Sequence, residues 1–122
     1  MAFVISISDQ AGEKWWLNNS SAWIFFDEIL PTYVEPNSRE SDQIEIASAF
    51  HGVALHDLHR EDPEIARKLA RAMRAAADDL AEGIVDINAF YTFRCLEETR
   101  LFKERFKELA NMLSRWEASL DS

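Results

Sequence analysis

DPEIARKLARAMRAAADDLAEG, residues 62–83, is the stretch on which the reading of the fold turns. Asp62 can cap a helix with its carboxylate, and Pro63 sits at the first helical position, where its missing N–H leaves no bond unmade. Gly83 lies just past the far end, which completes the expected asymmetry of start and stop. Between them Ile65, Leu69, Met73, Ala76 and Leu80 recur every three or four residues and so share one face. Seven alanines between Ala66 and Ala81 leave that helix slim enough for a neighbour to approach closely.

The neighbour is legible further on. Phe102, Phe106, Leu109, Leu113, Trp116 and Leu120 follow spacings of four and three in alternation, a coiled-coil-like seam suited to antiparallel packing. It lies in a long helix predicted from Asp86 to about Ala118. Cys95 falls in line with the seam through Thr99 and is expected there as a buried, inert thiol. Such a helix, about 33 residues and close to 50 Å long, exceeds the width of a compact domain of this size. The same seam could therefore pair two copies as a homodimer.

Towards the N-terminus the pattern changes. Asp42 reads as an N-cap with Glu45 as its capping-box partner. Ile46, Ala47, Phe50, Val53, Ala54 and Leu58 continue at helical spacing. PTYVEPNSRES, residues 31–41, reads as a loop. KWWLNNSSAWIFFDEILP, residues 14–31, admits two readings. A helix from Ala22 to Pro31, with Asp27 and Glu28 on its outer side, is favoured over a second strand built on AWIFF. Phe3, Ile5 and Ile7 alternate with Val4, Ser6 and Ser8, which predicts a short strand, and Asp9 to Gly12 predicts a turn. The expected architecture is one domain over residues 1–122: a mainly α small helical bundle with a long C-terminal helix and a short N-terminal strand or hairpin.

Composition bounds the function. An apolar fraction of 48% with three Gly and three Pro in 122 residues belongs to a globular chain. No run approaches the roughly 20 apolar residues of a membrane span. The opening MAFVISISDQ has no basic region and no small-residue cleavage site, so no secretory signal is expected. Cys95, the lone cysteine, excludes an internal disulfide and fits a cytoplasmic protein. The net charge of −9 is uneven, with ten acids and three bases in residues 1–61. Such a field repels nucleic acid and anionic membranes and attracts a basic protein partner.

Chemistry-bearing motifs are weak. FHGVALHDLHRED, residues 50–62, holds all three histidines. On a continuous helix His51 points about 140° away from His56, into the apolar arc. His56 and His59 are a possible ligand pair, but a third ligand one turn away is missing. Asp78–Asp79 and Glu97–Glu98 are adjacent pairs about 100° apart, not carboxylate dyads. No Gly-x-Ser-x-Gly elbow and no phosphate-cradling loop is present. No catalytic residue, metal site or cofactor is therefore expected.

Two features point to binding instead. Five aromatics lie between Trp15 and Phe26, followed at once by Asp27 and Glu28, the composition of anchors inside a charged rim. Trp15 and Trp16 cannot both face inward, so at least one is expected at the surface. The second feature is the stripe Arg67, Lys68, Arg71 and Arg74. With the overall charge opposed to nucleic acid, it reads as i,i+4 pairs such as Glu64 with Lys68 and Arg74 with Asp78, or as a face turned to the acids of the first half.

In size, acidity and lack of a catalytic signature the chain resembles the broad class of small bacterial immunity proteins, which bind and neutralise a toxin domain. That resemblance implies a non-enzymatic binding module of immunity or adaptor type. The expected partner-binding residues are Trp15, Trp16, Asp27, Glu28, Glu40 and Asp42. The alternatives are a self-associating helical protein and a metal-dependent enzyme using His56 and His59.

Overall fold

Asp62 and Gly83 delimit a helix as their chemistry predicts. The structure, a computed structural model, describes residues 2–7, 14–18, 23–86 and 95–120. Helix α4 runs Pro63–Glu82; Asp62 accepts a hydrogen bond from the Ile65 N–H at 3.2 Å, and Gly83 adopts the left-handed conformation with φ of 79°. The elements before it are β1 (Ala2–Ser6), β2 (Lys14–Asn18), α1 (Ile24–Ile29), α2 (Arg39–Ala49), β3 (Gly52–Ala54) and α3 (Leu55–Glu61), and α5 (Leu96–Leu120) follows it. The architecture is mainly helical, with a long last helix and a strand hairpin at the start. The turn expected at Asp9–Gly12 lies outside the described residues.

Helices α4 and α5 form the principal pair. All five residues of the predicted α4 stripe are buried, and Ala66, Ala70, Ala72 and Ala77 are buried with them, so the helices meet across small side chains. On α5, Phe102, Phe106, Leu109, Leu113 and Trp116 are buried and Leu120 packs at the margin. Gly83 lies beside the Lys103 ammonium while Arg71 and Arg74 reach Glu117, so the two helices run antiparallel. The start expected at Asp86 is not observed. Asp86 is not helical, residues 87–94 lie outside the described residues, and α5 is described from Leu96. Cys95 stands just ahead of α5 and is exposed, which corrects the expectation of a buried thiol.

The sheet has the order β2-β1-β3, with β2 antiparallel and β3 parallel to β1. Ile5 stands opposite Trp15 on one side and Val53 on the other, and Phe3 stands opposite Leu17. Because side chains alternate between faces, Phe3, Ile5, Ile7, Trp15 and Leu17 turn inward and are buried. Their backs form the outer face, where Trp16, Val4 and Gly52 lie in one row. A Cβ on residue 52 would come within 2.7 Å of the Val4 carbonyl oxygen, so this close strand approach requires glycine.

Strand β3 interrupts the helix predicted from Asp42 to Leu58. Phe50 caps α2, and His51 takes the left-handed conformation with φ of 57°. That conformation ends a helix, although Gly or Asn usually supplies it. The chain then enters β3, and the Val4 N–H bonds the His51 carbonyl at 3.1 Å. His51 is half-buried at this turn rather than within a helix's apolar arc. The α2 cap also moves. Ser38, not Asp42, accepts from the Ser41 N–H at 3.1 Å, and no bond to Glu45 contributes.

Residues 23–30 are helical rather than strand, with a wide π-helical turn over Ile24–Ile29 closed by the Leu30 N–H to the Phe25 carbonyl. The turn directs Phe25, Phe26, Ile29 and Leu30 all into the core. Phe26 stacks on Phe3 at 4.0 Å and meets Phe25 edge-on at 5.1 Å. A 3₁₀ turn, Leu30–Tyr33, replaces the start of the expected loop. It delivers the Tyr33 hydroxyl to Asp79 of α4, donating at 2.6 Å.

That bond carries a pH prediction. Burial pushes the Tyr33 phenol up, and the hydrogen bond to Asp79 and the carboxylate's charge push it further, to about 12. The folded protein thus holds this proton more tightly than the unfolded chain, whose phenol ionises near 10. The stabilisation is fully present below about pH 10 and is lost as pH rises towards 12. Denaturant unfolding across that window should show wild type losing stability relative to Tyr33→Phe. A constant difference between the two would disprove the linkage.

Candidate protein-binding surface

Helix α2 carries apolar residues on two faces. Ile44 and Ala47 are buried against the core. Ile46 and Phe50, one turn apart on another side, are 48% and 77% exposed. This reverses the expected face, which had placed Ile46 and Phe50 inward with Ala47. Asp42 and Glu45 are exposed one turn before Ile46 and Ala49, so carboxylates flank the apolar pair. Among the described residues no cation lies in ion-pair range of Glu28, Glu35, Asp42, Glu45 or Glu61.

Between α2, β3 and α3 runs a groove of about 230 Å³. Its apolar lining includes Ile46, Phe50, Val53 and Leu58, and its charged lining is Asp57 and Glu61, with no cation among them. Asp57 and Glu61 are four apart on α3 and therefore share one face. Arg60 approaches Asp57 at 3.8 Å, but both side chains are well exposed, and such a pair holds weakly.

The six residues expected to bind a partner are not brought together as one patch. Trp15 is 3% exposed and belongs to the core, donating from its indole N–H to the Arg105 carbonyl at 2.8 Å. It is no anchor. Trp16, its neighbour, is 59% exposed on the outer sheet face, with the Arg105 guanidinium 5.9 Å from its ring centre. Asp27 is half-buried and accepts from the Ser48 hydroxyl at 2.8 Å, so it ties α1 to α2. Glu40 is mostly buried and pairs with Lys68 at 3.9 Å. Glu28 and Asp42 are exposed and available.

The basic stripe of α4 works within the chain. Lys68 pairs with Glu64 at 3.1 Å as well as with Glu40. Arg71 and Arg74 both reach Glu117 of α5, at 2.5 and 3.5 Å. The expected pairing with acids of the first half holds for Glu40, whereas Glu117, from the second half, was not anticipated. Among the described residues no three His, Cys, Asp or Glu side chains converge into a group able to hold a metal ion. His59 instead lies edge-on to Trp116 at 5.8 Å. Among the described residues no helix is long and apolar enough to cross a membrane.

Ile46 and Phe50 were missed as surface residues because two apolar faces on one helix compete for the core. Ile44, placed beside Ala47 at a spacing of three, was the available signal. Comparison with protein-family models, curated proteins and solved structures finds no match to the chain.

Proposed function

We propose that this chain is a non-enzymatic protein-binding module of immunity or adaptor type, docking a partner whose surface is basic. The reading is carried by the outer face of α2, where exposed Ile46 and Phe50 stand beside the carboxylates of Asp42 and Glu45. Large apolar side chains clustered at a surface and rimmed by charge mark interaction sites. The net charge of −9 supports steering of a cationic partner. A reducing cytoplasm is the proposed working compartment, since the lone Cys95 is an exposed thiol.

A second reading, self-association, draws on Leu96 and Leu101, exposed on α5. On α5 those two residues would have to carry it, because the helix's seam is already covered by the chain's own core.

The test is capture of a partner from the source cell, followed by binding kinetics at two salt concentrations. Charge reversal at Glu28, Asp42 and Glu45 should slow association and flatten its salt dependence, because exposed charges are screened over about 8 Å at physiological ionic strength. Asp42 lies in the first turn of α2, and its reversal costs about 0.3–1 kcal/mol of helix stability. Melting curves therefore accompany the kinetics. An acidic partner, or binding indifferent to both salt and reversal, would refute the proposal.

A further inference from the structure

We infer that the groove between α2, β3 and α3 receives one cationic, amphipathic segment of the partner protein. An apolar side chain of that segment enters beside Ile46, Phe50, Val53 and Leu58, and its Lys or Arg side chains reach Asp57 and Glu61. The inference rests on the protein-binding reading above and names its site and the chemistry of its ligand.

Size selects the class of occupant. At about 230 Å³ the groove falls below the roughly 300–1,000 Å³ of pockets that enclose a drug-sized ligand, and it is lined by both helix and strand. A side chain or two fills a space of that size. Charge selects the sign. The lining holds two carboxylates and no cation, and the carboxylates stand one turn apart on the same side of α3. Arg60 offsets Asp57 only weakly, from 3.8 Å across an exposed pair, so an acidic segment would meet like charge here, whereas a basic one pairs with both groups. Exposure supplies the driving force. Phe50 is 77% exposed at the very end of α2, and covering its ring removes apolar surface from water. Among the described residues, moreover, β3 is the outer strand of the sheet, beside which the segment would lie.

The test uses the full chain and a fluorescein-labelled peptide of alternating Lys and Leu, with its Glu-Leu counterpart as the opposite-charge probe. Phe50 and Ala54 are exposed, so Phe50→Ala and Ala54→Arg leave the core intact, and the second sets a cation into the groove wall. Each of these variants, and Asp57→Asn with Glu61→Gln, should weaken the Lys-Leu peptide by about tenfold or more. Removing the same charge from α5, with Glu97→Gln and Glu108→Gln, should change it by less than about twofold. If the α5 control loses as much as the groove variants, the peptide senses only net charge and the inference falls. It falls also if the Glu-Leu peptide binds equally well. Sedimentation across a concentration series provides the remaining arm: a wild-type dimer abolished by Phe50→Ala would make the occupant a second copy and overturn the proposal. A captured partner that binds the groove variants as tightly as wild type refutes the groove but leaves the protein-binding reading standing. Groove-specific peptide binding with a captured partner indifferent to salt would refute that reading instead.

Discussion

Phe106→Ala should lower the free energy of unfolding by about 3–5 kcal/mol, the range for removing a fully buried aromatic ring. Phe106 has no exposed surface and stands where three parts of the fold meet. Its ring centre lies 5.3 Å from Trp15 of β2, 5.0 Å from Phe25 of α1 and 4.7 Å from Phe102 one turn earlier on α5. Aromatic neighbours at such distances add edge and face attractions to the burial of apolar area. Alanine would leave a cavity bounded by rigid rings, each held by its own contacts, so the site has little freedom to collapse. Against a total stability of about 5–15 kcal/mol, that loss is a large fraction. The melting temperature should fall on the order of 10–20 °C. Urea unfolding monitored by tryptophan fluorescence and by circular dichroism measures it directly. A loss under about 1 kcal/mol would place the ring outside a packed core and refute the arrangement.

What could be read from the chain in advance follows from how local the deciding physics is. Helix α4 was legible because Asp62, Pro63 and Gly83 act within one turn of its ends and its apolar stripe repeats five times. The α5 seam and the Phe3, Ile5, Ile7 alternation were legible for the same reason. Strand β3 was not. Its three residues gain their partner from β1, some fifty positions away in the chain, and nothing in HGVAL alone announces that pairing. The left-handed turn before it uses His51, a residue type that carries no stop signal, with the expected glycine one position late. The cap at Ser38 was hidden by Asp42, an equally good capping residue four positions on. The binding surface suffered the same ambiguity in another form. Its acids were visible by composition, but Asp27 and Glu40 are held by Ser48 and Lys68 from elements distant in sequence. Conversely, Asp57 and Glu61 lie in the histidine-bearing stretch 50–62, and only the fold sets them across from Ile46 and Phe50.

Trp15→Ala and Trp16→Ala, one position apart and chemically identical, should differ several-fold in their cost. Trp15 is buried against Phe106, and its indole N–H supplies the Arg105 carbonyl on α5. Truncation removes that packing, leaves a cavity and strips the carbonyl of this donor, so a loss of about 3–5 kcal/mol is expected. Trp16 points to the opposite face of the sheet. Its ring meets mainly solvent and the Arg105 guanidinium, and an exposed cation–π contact is worth about 0.5–1 kcal/mol. The same guanidinium donates to the Trp16 main-chain carbonyl, a bond the substitution leaves in place. Trp16→Ala should therefore cost about 1 kcal/mol or less while leaving the fold intact. The comparison tests strand register, because side chains alternate and a slip of one residue between β1 and β2 exchanges the two faces throughout. Equal losses at the two positions would contradict the pairing of Ile5 with Trp15. A larger loss at Trp16 would mean that the sheet lies the other way up on the helices. With the expected order, Trp16 is also a surface on which a partner can be lost without unfolding the protein. Any acceleration of partner dissociation by Trp16→Ala would then report binding at the outer sheet face, separately from the groove beside Phe50.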